Sequence, residues 1–219
     1  MYSKINEFCK VRNEGPISNN HPEFPTNRVN YLLNLLKEES IDYELDIFNY
    51  RKTSAYNIIL QGTSSKMVVA HHDIVNPNTD NANDNSCSVI NAIMLKKLMP
   101  EINVVLLDGE EFGGVGSQRL SDQIKYGKFG KIDWVLNLEL SGKGGKHFFI
   151  GNYSGVLFNH IKSIFDCPVV NTPFNDSVIF RRNGIDSCVI NPLPPVDKIT
   201  SVKWDENTYL DYEMLFNCH

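Results

Sequence analysis

Four short apolar runs, at 67–70, 102–107, 134–138 and 188–191, constrain this chain more than any other feature. Runs of four to six apolar residues bounded by polar turns suit strands buried on both faces. Helical patterns separate them. Val29, Leu32, Leu33 and Leu36 recur at i, i+3, i+4 and i+7 behind Thr26 as a cap, and Ile90, Ile93, Met94 and Leu98 form a stripe that Pro100 stops. Further helices are expected at 117–126, 155–165 and 176–182, and a weak one within 1–12. Additional strands are expected at 42–50 (Tyr43, Leu45 and Ile47 on one face), 56–60, 147–150 and 169–170, with 13–25 as a loop. Strands alternating with helices predict an α/β fold: a three-layer α/β/α arrangement around a mainly parallel mixed sheet, in one domain covering 1–219.

In such sheets, sites form beyond the carboxyl ends of the strands. Three runs deliver chemistry there. The first breaks into His71-His72-Asp73 and continues through a polar loop to Asn83-Asp84-Asn85-Ser86. The second runs into Asp108-Gly109-Glu110-Glu111, and the third ends on Glu139. Side chains alternate along a strand, so His71 and Asp73 share a face and His72 points away. A His with a carboxylate two residues on suits a metal ligand oriented by its neighbour. Five carboxylates (Asp73, Asp84, Glu110, Glu111, Glu139) in one cleft would repel strongly. Two like charges about 4 Å apart cost about 4 kcal/mol at an effective dielectric near 20. The cluster therefore takes up protons or holds cations. Imidazole with carboxylates suits Zn²⁺ first, with Mn²⁺ or Co²⁺ as options, and a carboxylate-bridged pair of ions meets the charge. The adjacent pair Glu110-Glu111 allows one acid to bind metal while its neighbour accepts a proton from bound water.

Composition narrows the partners. A net charge of −5 without a basic block gives no nucleic-acid footprint. No apolar run is long enough to span a bilayer, and the first residues lack the apolar core of a signal peptide. Five cysteines, an odd number with no CxxC pair, read as reduced thiols of a cytoplasmic protein. Nothing in the sequence fixes the oligomeric state.

The ordered set His71-x-Asp73, Asn83-Asp84-Asn85-Ser86, Asp108-Gly109-Glu110-Glu111 with Gly116-Ser117, and Asn137-Leu138-Glu139 resembles the successive motifs of the co-catalytic di-zinc aminopeptidases, the family of bacterial leucyl aminopeptidases and glutamate-carboxypeptidase-like zinc exopeptidases. The resemblance covers about 55–219. It implies a zinc-exopeptidase (phosphorylase/hydrolase-like) architecture, a peptide or amino-acid-derivative substrate and two Zn²⁺. His71 and Glu139 would bind one ion, Glu111 and a late His the other, and Asp84 would bridge them. Glu110 would be the general base, and Asp73 would orient His71. Asn175-Asp176-Ser177 with Phe180 and Gly184-Ile185 resembles a segment lining the family's substrate cleft. In this chain Glu139 stands where the family commonly has Asp. The late His is His219, the final residue, so the expected domain lacks the usual closing C-terminal helix or the native chain continues past it.

Other readings stand beside these. A metal-dependent relative that deacylates amino acids or removes C-terminal residues, a single-zinc glutaminyl-cyclase-like enzyme, and an inactive binding module all fit the same scaffold. His72 is read as a structural residue packed behind its strand, and His21, His147 and His160 as surface or loop histidines. Asp176-Ser177 is read as a helix cap, Cys87 and Cys218 as small apolar packing groups, and Phe112, Asn152-Tyr153 and 174–180 as candidate cleft lining.

Overall fold

The structure, a computed structural model, describes residues 2–11, 27–51, 53–74, 82–141, 149–151, 155–164, 169–170 and 174–191. Among the described residues, eight strands form one mixed sheet: β1 (Glu44–Tyr50), β2 (Thr53–Leu60), β3 (Lys66–His71), β4 (Asn103–Leu107), β5 (Trp134–Leu138), β6 (Phe149–Gly151), β7 (Val169–Val170) and β8 (Ser187–Asn191). Their spatial order is β1-β2-β4-β3-β5-β8-β6-β7. The centre, β4-β3-β5-β8, is parallel, and it contains the four apolar runs. β1 and β2 are antiparallel, and β6 joins β8 antiparallel on the far side.

Strand alternation sorts the core into two layers. Val68 and Ala70 of β3, with Val104, Leu106, Leu136, Leu138 and Ile190, meet helices α1 (Tyr2–Phe8), α2 (Asn27–Glu38), α3 (Cys87–Leu98) and α5 (Val156–Ile164). Met67 and Val69, with Val105, Leu107 and Val135, meet Leu120 and Ile124 of α4 (Val115–Lys125) and Phe180 of α6 (Asp176–Arg182). This is the three-layer α/β/α fold that the alternation of elements predicts. No helix among the described residues is long and apolar enough to cross a membrane.

Local expectations differ at three places. α3 is not a one-sided stripe: it is buried almost all round from Cys87 to Lys96, while Leu98 stays exposed, as befits a helix wedged into the core. In β1, Ile47 is exposed and Asp46 is buried, because Arg119 of α4 grips the Asp46 carboxylate at 3.0 and 3.2 Å. The residues around Asp84 form a wound turn, Ala82–Ser86, before α3 starts. Asp84 and Asn85 have non-helical backbone angles within it.

Candidate metal centre and cleft

β3 ends at His71, paired with Leu107 at the end of β4, and β5 ends one residue before Glu139. The parallel register therefore places His71, Glu110-Glu111 and Glu139 at one edge of the sheet. His71 is buried. Its Nε2 lies 3.2 Å from Asp84 Oδ1 and 3.5 Å from Glu139 Oε2, and its Nδ1 lies 3.3 Å from Asp73 Oδ1. One donor atom from each of His71, Asp84 and Glu139 falls within 4.8 Å of the other two. Tetrahedral zinc with bonds of about 2.0–2.1 Å has ligand–ligand edges of about 3.3–3.4 Å. The two measured separations match that edge, so the trio fits zinc.

The surroundings hold these ligands by backbone contacts. Asp73 is fully buried, and its two oxygens accept the backbone N–H groups of Glu110 and Glu111 at 3.2 Å each. Asp73 thus ties the acidic turn 110–112 to the strand that carries His71. That turn is entered and left through glycines in left-handed backbone, Gly109 (φ 74°) and Gly113 (φ 91°), a conformation that L side chains rarely adopt. Asn85 brackets Glu139: its amide donates to the Leu138 carbonyl at 2.9 Å and accepts the Leu140 N–H at 3.1 Å. Asn137 Nδ2 donates to Glu139 Oε1 at 3.1 Å. Leu140 itself has φ 54°, a strained backbone for a branched side chain, and it lines the cleft.

The charges act on one another. Burial pulls the His71 pKa down, but the field of Glu139 and hydrogen bonding to Asp73, Asp84 and Glu139 raise it well above the ordinary value. Burial pushes Glu110 up to about 10, reinforced by Glu139, Asp176 and Asp73 and opposed by His71. Burial likewise pushes Glu111 up to about 7, with Asp84 and Asp73 adding to it against His71. Glu139 is raised by burial, with His71 opposing. Asp73 moves the other way: hydrogen bonding and charge from His71 outweigh its burial and lower it. These shifts are the signature of an acidic cluster built to share positive charge or protons.

Over this cluster opens a cleft of about 160 Å³ lined by His71, Asp84, Glu110, Glu111, Glu139, Leu140, Phe174, Asn175, Val189 and Asn191. Its volume is below the roughly 300–1,000 Å³ of drug-sized ligand sites. Val189 and Asn191 were not foreseen as lining. Their signal is their place two residues apart at the end of β8, beside the end of β5.

The sequence-derived residues divide as follows. His71, Asp73, Asp84, Glu110, Glu111 and Glu139 come together. His219 lies outside the described residues, as do His21, His147, Cys218 and Asn152-Tyr153. His72 packs behind β3, its ring Nε2 bonded to the Tyr56 carbonyl at 2.8 Å and its pKa lowered by burial to about 4. Cys87 is buried in the apolar core. Phe112 does not line the cleft and Phe180 belongs to the second core layer, whereas Phe174 and Asn175 do line it. His160 sits half-buried on α5, within the helix expected at 155–165. The cap of α6 is Asn175, whose side chain accepts the Ser177 N–H. Asp176 follows it, fully buried; among the described residues neither carboxylate oxygen has a partner in good hydrogen-bond geometry, and the side chain close enough to lower its pKa by hydrogen bonding is Ser117. Burial raises its pKa to about 7, and it feels the charges of His71, Glu139 and Asp73. The sequence offered Asp176 both as a helix cap and as part of a segment resembling the family's cleft lining; the structure gives the cap to Asn175 and buries Asp176.

Residues 57–209 match the family model described as "Peptidase family M28". No curated protein matches the sequence significantly. Among solved structures, the Legionella pneumophila LapA aminopeptidase superposes with a TM-score of 0.74 at 12% identity, over 98% of this chain and 67% of that one. BSAP, a zinc aminopeptidase from Bacillus subtilis, gives 0.62 at 18% identity over 76% of this chain and 49% of that one. A Bacteroides thetaiotaomicron glutaminyl cyclase bound to N-acetylhistamine gives 0.74 at 18% identity over 98% of this chain and 94% of that one. The chain thus spans about two thirds of LapA, about half of BSAP and nearly all of the cyclase.

Proposed function

The chain belongs to peptidase family M28, and from that premise we propose that it is a zinc-dependent aminopeptidase, a single catalytic domain that releases N-terminal residues from peptides at a two-zinc centre. The observation that carries the reading is the juxtaposition of His71 Nε2, Asp84 and Glu139 at zinc-ligand spacing, with Glu111 on the same cleft wall. His71 and Glu139 would hold one ion, Glu111 the other with His219, and Asp84 would bridge them. Mn²⁺ and Co²⁺ suit the same donors. Zinc bound here would supply Lewis acidity toward the scissile carbonyl and lower the pKa of a bound water.

The residues do the rest. Glu110, in the cleft wall, accepts a proton from the attacking water and returns it to the leaving amine; burial raises its carboxyl in the metal-free cluster, and cations bound nearby would oppose that rise and free it to accept. Asp73 keeps His71 oriented and the 110–112 turn in register. The cluster's negative charge attracts the free α-ammonium of a peptide's first residue, and Leu140, Phe174 and Val189 offer that residue's side chain an apolar wall. A reducing, cytoplasmic setting is proposed on the odd number of cysteines and the lack of a CxxC pair.

Zinc-loaded protein tested on a panel of aminoacyl-anilides and their N-acetylated counterparts decides the question. Hydrolysis of free-amine substrates alone supports the aminopeptidase. Preference for the N-acetylated compounds indicates a deacylase. A second reading is a glutaminyl cyclase, whose solved structure this chain covers nearly completely, as it does that of a leucine aminopeptidase precursor from the same organism. Cyclisation of a glutaminyl peptide without anilide hydrolysis would select it.

A further inference from the structure

Arg28 is the largest fully buried side chain of the described residues, and it lies behind the metal centre on α2. Its Nε donates to the His72 carbonyl at 2.7 Å and its Nη2 to Ser86 Oγ at 2.9 Å. Its Nη1 donates to the carbonyls of Val11 at 3.0 Å and Phe8 at 3.3 Å, and the guanidinium carbon lies 3.8 Å from the centre of the Phe8 ring.

Two of these acceptors flank the ligands. The sheet ladder ends where the His72 N–H meets the Leu107 carbonyl at 2.8 Å. Beyond that bond the carbonyl of His72, between His71 and Asp73, has no strand to pair with and would be an orphan. Ser86 follows Asp84 by two residues and caps α3 with helical backbone, directly after a turn that is non-helical at Asp84 and Asn85. A guanidinium is a planar fork that holds two acceptors at a set spacing, which an ammonium cannot do. Arg28 thereby spans the end of β3 and the Asp84 turn, the two segments whose ligand atoms meet at 3.2 Å. Through Phe8 and Val11 it also ties the N-terminal helix to that spacing.

Building on the metal-site reading above, we infer that Arg28 is a positioning residue for the metal centre, setting the separation of His71 and Asp84 through the His72 carbonyl and the Ser86 hydroxyl. The test is zinc affinity of the full chain, measured by competition with a chromophoric chelator, alongside the melting temperature of the chelator-treated protein. Arg28→Lys removes the fork, and Ser86→Ala removes one of its two flanking contacts with little change in volume. Leu36→Ala, in the same core layer, is the control for lost stability alone. Expected is a loss of zinc affinity of about 10-fold or more in Arg28→Lys and a smaller loss in Ser86→Ala, with Leu36→Ala melting lower but binding zinc like the unaltered chain. Unchanged affinity in Ser86→Ala and in any Arg28→Lys that folds overturns the inference and leaves the metal site standing. Absence of zinc binding by the unaltered chain overturns the metal-site reading itself.

Discussion

Asp73 Oδ2 accepts the backbone N–H of Glu111 at 3.2 Å, so a carboxylate at the end of β3 positions the main chain of an acid that follows β4. Asp73 Oδ1 does the same for Glu110 and also faces His71 Nδ1 at 3.3 Å. One buried side chain therefore sets both the imidazole and the turn that carries the proposed base. Asp73→Ala is expected to lower zinc affinity about 10–100-fold and to cut turnover, because it frees His71 and the turn together. Chelator competition and steady-state kinetics measure the two effects. Wild-type values for both would contradict the assignment.

Glu110→Gln keeps the shape of the side chain and removes its basicity. Turnover is expected to fall by about 10²–10⁴ with zinc content and melting temperature preserved. Full hydrolytic activity in that variant would eliminate Glu110 as the base.

Asn85→Ala strips the Leu138 carbonyl and the Leu140 N–H of their shared partner at a fully buried position. Buried groups left unsatisfied cost roughly 1–3 kcal/mol each, so urea unfolding is expected to show a loss of about 2 kcal/mol or more. Glu139, bracketed by the same amide, should then bind zinc less tightly. A variant as stable as the parent would show that water replaces the amide.

Gly116 stands where no side chain fits. A Cβ there would lie 2.4 Å from the Asp108 carbonyl oxygen and 2.6 Å from Asn57 Oδ1, and the Asn57 amide also donates to the Gly116 carbonyl. Gly116→Ala is expected to destabilise by about 1–3 kcal/mol or to fail to accumulate folded, read by thermal melting. This close approach of α4 to the end of β4 gives the Gly116-Ser117 motif a packing reason.

The pH dependence of the metal-free protein follows from the raised acids. Glu111 and Asp176, pushed up to about 7, Glu110, pushed up to about 10, and the raised His71 all hold protons in the folded state that the unfolded chain has released. Stability from such groups is present at low pH and is lost as pH rises through their folded values. His72, lowered to about 4, works in the opposite sense, but only below about 6.5, where the unfolded chain takes up its proton. From pH 6.5 to 8 the melting temperature of chelator-treated protein is therefore expected to fall, and zinc should raise it more at pH 8 than at pH 6.5. A flat or rising profile would contradict the clustering of these groups.

The central strands were legible because each is an apolar run with an abrupt polar end, and those ends name His71, Glu110-Glu111 and Glu139 directly. β6 was harder to place. Its three residues carry no alternation, and its seat between β8, to which it is antiparallel, and β7, to which it is parallel, is a tertiary choice. α3 was legible as a helix from Ile90, Ile93, Met94 and Leu98, but its burial on nearly every side was not, because that depends on the elements packed around it. Arg28 did carry a signal, since it precedes Leu32 by four residues and so falls within the apolar stripe of α2. A lone arginine in such a stripe has no sequence-visible partner, because its acceptors are main-chain carbonyls and a serine hydroxyl far along the chain. Asp176 was legible only as a choice between cap and cleft residue, because its ordinary place at the start of a helix suits both; the cap is Asn175.

Anomalous diffraction at the zinc edge, on crystals of zinc-loaded protein, tests the central claim most directly. The account predicts one peak bonded to His71 Nε2, Asp84 and Glu139 at about 2.0–2.2 Å and a second, about 3.5–4 Å away, bonded to Asp84 and Glu111. A map with no peak at the His71–Asp84–Glu139 trio would contradict it.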